Sequence, residues 1–396
     1  MSPVPAASVD VLESLDWDTF VDAYWDRGPV LIRGAALGVA PFDAHEVFES
    51  AVTAARRPSA GPVSFALGPR RLADPGDLLP QPEDGSFARY GRRLLRQSGR
   101  EPFHLVVRGL HAFHHPVWLR ARNFLAGLWD RTGQPLLGAS TTLHHGTCGS
   151  ERLSRTPGAT FLYTLLGRPR LRLARAGRWL AARPAPGDLL YWPAGQRYVT
   201  ESSRSPAGLV HLGVPRTAPG PGHGLRSLLA PGPNPAYPQA RWGGDDILVQ
   251  EDAEGVLDAG EADRAASELL PPVLVDALAH YREAARPTAM RRRLAREALL
   301  HATDGGLRPV PPPARPGRFT DDDAVRAVER VVWAETAGRR LVAACGHVLE
   351  TDLTGAELSA IVGLLNAGEE VPVAELAPSA RALMSRLAGF RAVERL

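Results

Sequence analysis

The run Gly187-Asp-Leu-Leu-Tyr-Trp-Pro-Ala-Gly-Gln-Arg-Tyr198 restricts the fold more than any other stretch of this chain. Pro186-Gly187-Asp188 has the residue types of a tight turn, because glycine reaches backbone angles barred to other residues and aspartate bonds nearby amides. Leu189, Leu190, Tyr191 and Trp192 make an apolar run of strand length. Pro193-Ala-Gly195 stops it, since proline brings no amide hydrogen to a ladder. The chain then passes Tyr198 toward a second strand run, Leu209-Val-His-Leu-Gly-Val214. A turn, a buried strand, a corner and a returning strand imply a jelly-roll half-barrel.

The flanking sequence supplies elements to surround it. Thr160 to Leu166 reads as a strand, and Arg170 to Ala174 alternates polar and apolar residues beyond Gly167 and Pro169. Upstream, Asp16 or Asp18 caps a short helix bearing Phe20, Val21, Tyr24 and Trp25, and Val30 to Ile32 follows as a strand. Residues 41–56 read as a helix, 58–82 as short strands with loops, and Gly85 to Leu95 as a lead into another helix. Phe103 to Leu110 has strand character, and Val117 to Leu128 has helical spacing. His114-His115, before Pro116, reads as a loop feature away from the barrel. Residues 217–245 are a Pro/Gly-rich connector with a short helix near Leu225 to Leu229. Helical spacing returns from Ala262 and again over Met290 to Leu300. A proline-rich linker precedes a C-terminal unit, in which Val331 to Trp333 pairs with Leu341 to Ala344 and Gly355 to Leu365 is a helix.

With 396 residues, 44% hydrophobic and 22% charged, the chain is expected to fold into two or three domains. It has no apolar run of membrane-spanning length, and its first residues lack the pattern of a signal peptide, so a cytoplasmic protein is expected. Cys148 and Cys345 read as reduced thiols. All 46 basic residues are arginine. The absence of lysine excludes Schiff-base chemistry, a pyridoxal anchor and a Walker A phosphate loop. The net charge of +3 is mild and the arginines are dispersed, so nucleic acid is not an expected partner.

Three stretches resemble a known family. Phe20…Tyr24-Trp25…Pro29-Val-Leu-Ile-Arg33-Gly34 is similar to the N-terminal segment of JmjC-like and ribosomal-oxygenase-like cupins. The succession from Thr160 through Gly167, the basic strand, Pro186-Gly187-Asp188 and the corner resembles the same family. Gly346-His-Val-Leu-Glu350, a helix, Leu364-Leu-Asn-Ala-Gly368 and Val373-Ala-Glu-Leu376 resemble its winged-helix-like tail. The resemblance implies a mainly β fold with helices: a double-stranded β-helix (cupin/jelly-roll) barrel, then a helical segment and a winged-helix-like domain. The expected boundaries are 1–216 for the barrel with its N-terminal helices and 217–304 for a connector and helical, dimerisation region. A linker over 305–318 and the C-terminal domain over 319–396 complete the chain. A homodimer is expected on the same ground.

Members of that family are iron(II)- and 2-oxoglutarate-dependent oxygenases holding the metal with two histidines and one carboxylate. In one register the first two ligand positions fall on Ser154 and Thr156; in another, Arg155-Thr-Pro157 aligns and the loop carrying the pair is missing. The corner histidine is replaced by Tyr198. The resemblance therefore implies a barrel without its usual iron site, and no cofactor is expected unless an alternative site holds iron(II) and 2-oxoglutarate. His144, His145, His211, Tyr191 and Tyr198 are the candidates for proton handling, since imidazole and phenol suit that work. His144 and His145, being consecutive, face opposite ways on a strand. Arg168, Arg170 and Arg172 are the candidates for binding an anionic co-substrate. Three readings remain open: an oxygenase-like protein binding a peptide, protein or small metabolite; a metal-independent biosynthetic tailoring enzyme; and a peptide or protein hydroxylase with displaced ligands.

Overall fold

The computed structural model describes residues 7–38, 40–57, 61–99, 101–147, 154–175, 177–201, 205–216 and 285–396. Cys148 and the helices expected near 225–229 and from 262 lie outside the described residues.

The N-terminal part runs β1 (Ala7–Ser8), β2 (Asp10–Leu12), α1 (Trp17–Ala23), β3 (Val30–Ile32), α2 (Ala44–Ala55), β4 (Val63–Leu67), β5 (Arg70–Leu72), α3 (Phe87–Gln97), β6 (Phe103–Arg108) and α4 (His115–Thr132). It continues with β7 (Ser140–Gly146), β8 (Ser154–Arg155), β9 (Ala159–Leu166), β10 (Leu171–Arg175), β11 (Arg178–Ala182), β12 (Leu189–Trp192), β13 (Arg197–Thr200) and β14 (Ala207–Val214). Helix starts follow the local chemistry. Asp16 accepts from the Thr19 amide at 2.8 Å, and Asp43 accepts from the amides of His45 and Glu46 at 2.9 and 3.0 Å. His115 opens α4 rather than sitting in a loop, with Pro116 in its first turn, where a missing amide hydrogen costs nothing.

Two sheets result. One has nine strands in the order β2-β3-β12-β9-β14-β7-β6-β4-β5; the other has five, β1-β11-β10-β13-β8. Pairing is antiparallel except for β2 with β3 and β1 with β11. Strand alternation divides the side chains between two cores. Leu189 and Tyr191 of β12 enter a large core shared with the helices, together with Phe20, Phe103, Leu105 and Trp118. Leu190 and Trp192 turn the other way and meet Leu162, Leu171, Leu173 and Tyr198 between the two sheets. The face of the nine-stranded sheet turned to this second core is the inner face below.

The C-terminal part comprises α5 (Pro287–Thr303), β15 (Ala324–Ala327), β16 (Val332–Thr336), β17 (Arg339–Ala344), β18 (His347–Thr351), α6 (Gly355–Asn366), β19 (Val371–Pro372), α7 (Pro378–Gly389) and β20 (Val393–Arg395). β16, β17 and β18 form one antiparallel sheet, and β19-β15-β20 form another. The expected pairing around Ala337-Gly338 is present, with Val332 opposite Ala343. Trp118 of α4 donates to the Leu307 carbonyl at 3.1 Å and Trp129 to Gly305 at 2.9 Å, which ties this part to the first. The architecture is a mixed α/β fold. No helix among the described residues is long and apolar enough to cross a membrane.

Candidate functional site

Three histidines from neighbouring strands meet on the inner face. His104 of β6 is paired with Gly146, two residues along β7 from His144, which is itself paired with Val106 and Leu209. His211 of β14 is paired with Thr142, two residues the other way, and with Leu162. The pleat puts all three on one side. His104 Nε2 and His144 Nδ1 are 3.2 Å apart, so one N–H donates to the other ring's lone pair. The rings of His144 and His211 are 4.6 Å apart. Burial pushes His211 down to about 4 and His144 well below the ordinary imidazole value. The neighbouring His211, His104 and Arg108 push His144 further the same way. At neutral pH the row is uncharged.

Trp192 and Tyr198 close one end. Their rings are 5.0 Å apart, and each stands near His211, at 5.9 and 6.3 Å. Tyr198 pairs with Ser154 across β13 and β8, and their side chains share a hydrogen bond. Burial raises the Tyr198 phenol, so it stays protonated. Trp192 Nε1 donates to Thr156 Oγ1 at 3.1 Å. Arg155, Thr156, Pro157, Ala194 and Gly195 line an open cleft of about 440 Å³ beside these residues.

Ser154, Thr156 and Tyr198, the positions that the family resemblance assigns to iron ligands in its first register, are thus gathered in one place. They do not fit iron. Two aliphatic hydroxyls and a neutral phenol lack the imidazole and carboxylate donors that iron(II) takes, and their hydrogen bonds go to each other and to Trp192. Among the described residues no three His, Cys, Asp or Glu side chains come together in a way that could hold a metal ion.

Not every sequence candidate reaches this place. His145 lies on the opposite face of β7, fully buried beside Phe87, Tyr90 and Phe103. Its Nδ1–H donates to the Ala207 carbonyl at 3.0 Å, and Nε2 has no partner among the described residues. Tyr191 likewise turns to the helical side, against Phe20 and Trp25, and its hydroxyl accepts from the Asp26 amide at 3.0 Å. The period-two pleat separates both from His144 and Trp192. Arg168, Arg170 and Arg172 are exposed and do not enter the inner face; Arg172 lies over the Trp179 ring and within 3.3 Å of Glu201. His104 and Trp192 join the site without having been singled out in the sequence. Their signal was alternation: Phe103, Leu105 and Val107 are fully buried on one side, which leaves His104 and Arg108 for the other.

No protein-family model matches the chain, and no curated protein matches it. Among solved structures, YcfD, a ribosomal oxygenase from Escherichia coli, is similar at 13% identity over 97% of this chain and 99% of that one, with a TM-score of 0.44. Its complex with cobalt and succinic acid gives 13% identity and a TM-score of 0.45 over the same shares. An oxalate decarboxylase from Bacillus subtilis matches at 13% identity over 30% of this chain and 27% of that one, with a TM-score of 0.20. These likenesses are distant, and no residue role rests on them.

Proposed function

We propose that this chain is an oxygenase-like protein of cupin architecture that works without the usual iron site and uses the inner face to bind a peptide, a protein or a small metabolite. One observation carries the reading. Ser154, Thr156 and Tyr198 stand together at the expected ligand positions, with hydroxyl groups engaged by each other and by Trp192. The proposed organisation is a barrel unit over 1–216, a helical and dimerising region over 217–304, a linker over 305–318 and a winged-helix-like unit over 319–396. A cytoplasmic homodimer is part of the same proposal.

Metal analysis of protein purified without added metal, followed by an assay for succinate after adding iron(II) and 2-oxoglutarate, tests it. Substoichiometric iron and no succinate are the expected results. Stoichiometric iron with 2-oxoglutarate-dependent succinate formation would overturn the reading and support a hydroxylase with displaced ligands.

The contact between His104, His144 and His211 favours a second reading, a metal-independent tailoring enzyme. Neutral imidazoles, two of them joined by a hydrogen bond, can pass a proton between a substrate and solvent. Turnover abolished in both His144→Gln and His211→Gln, with ligand binding retained, would select the enzyme over the binding protein.

A further inference from the structure

Beside the histidine row the inner face carries an arginine. Arg108, the last residue of β6, is half-buried and lies on the same side as His104. It pairs in register with Thr142, which pairs in turn with His211. Other partly buried arginines of the N-terminal part have carboxylates: Arg93 reaches Asp84 at 2.7 Å and Arg120 reaches Glu46 at 2.7 Å. Among the described residues the Arg108 guanidinium has no carboxylate and no hydrogen-bond acceptor. β4, β6, β7 and β14 contain no aspartate or glutamate at all. A guanidinium carries five donors in a planar fork, and none of those of Arg108 is taken up by a described residue.

We propose that Arg108, with Thr142 and the His104–His144–His211 row, forms a binding site for the carboxylate of a small, otherwise apolar molecule. The proposal deepens the reading above and rests on it: the ligand occupies the inner face without iron. Charge selects the ligand class. The planar fork of arginine matches a carboxylate with two parallel hydrogen bonds. One arginine neutralises a monoanion, whereas a phosphate dianion would leave a negative charge uncompensated beside uncharged imidazoles. The Thr142 hydroxyl and the histidine N–H groups supply further donors. Val106, half-buried and paired in register with His144, suits an apolar body. The site is separate from Arg168, Arg170 and Arg172, which face solvent.

The full chain, freed of metal with a chelator, is titrated calorimetrically with hexanoate, benzoate, hexanamide and inorganic phosphate. At least one carboxylate is expected to bind more tightly than hexanamide or phosphate, and Arg108→Gln to weaken it by about tenfold or more. Arg108→Lys, which keeps the charge but not the fork, should fall between the two. It also serves as the reporting variant if circular dichroism shows Arg108→Gln to be unfolded. Binding of neither carboxylate, equal binding of hexanamide, a preference for phosphate, or unchanged affinity in the Arg108 variants would each overturn the site. Such a failure leaves the iron-free reading standing. Iron with succinate formation would remove that reading whatever the carboxylates do.

Discussion

The histidines are the residues whose behaviour follows most directly from burial. His145 and His211 are pushed down to about 4, as are His111, His115 and His347, in each case by burial first. Unfolded, they titrate near 6.5. Between these values the unfolded chain binds more protons, so stability rises with pH; it is full above about pH 6.5 and is lost as pH falls toward 4. The fully buried His145 alone accounts for about 3 kcal/mol of that loss. Urea midpoints at about pH 7.5 and about pH 5 should show the fall, and His145→Phe, set among Phe87, Tyr90 and Phe103, should reduce the dependence by about one proton. Tyr198→Phe removes the hydroxyl shared with Ser154 and should cost about 1 kcal/mol in the same measurement. Tyr198→His puts an imidazole at the corner, yet Ser154 and Thr156 still offer only hydroxyls. Metal analysis of that variant should find no bound iron.

At the scale of elements, the turn before β12 positions the site strand. Asp188 is buried, and its carboxylate accepts from the amides of Gly34 and Ala185 and from Arg33, each at 3.0 Å. Gly187 has φ +93°, and a Cβ on Gly34 would lie 2.9 Å from the Gly187 carbonyl, so the turn and the end of β3 need glycine at both points. Asp188→Ala leaves these donors without their acceptor and should cost about 3 kcal/mol in urea unfolding. Much of this was legible beforehand: the Pro-Gly-Asp turn, the strand after it, and the helix start at Asp16 are local chemistry. The partners of Asp188 were not legible, because Arg33 and Gly34 are more than a hundred and fifty positions away.

Over the whole molecule, the C-terminal part is joined to the first by buried contacts. Leu307 is fully buried, forms a bridge with Ala139, and offers its carbonyl to Trp118. Arg122 of α4 pairs with Glu329 at 2.5 Å. A stretch that reads as a proline-rich linker therefore begins inside the core. Leu307→Ala should destabilise by about 3 kcal/mol. The two parts are expected to unfold in one calorimetric transition, and two separated transitions would show that these contacts do not couple them. By itself the sequence determined the strands through Phe161 and Leu190, the turn at Gly187 and the residue types Ser154, Thr156 and Tyr198, none of them an imidazole or a carboxylate. Those features depend on residue type and on neighbours a few positions away. Only the tertiary structure decided that His104 and Arg108 join His144 and His211 while His145 and Tyr191 turn away. That grouping depends on which strands are neighbours and in which register, and long-range pairing leaves no local mark on the chain.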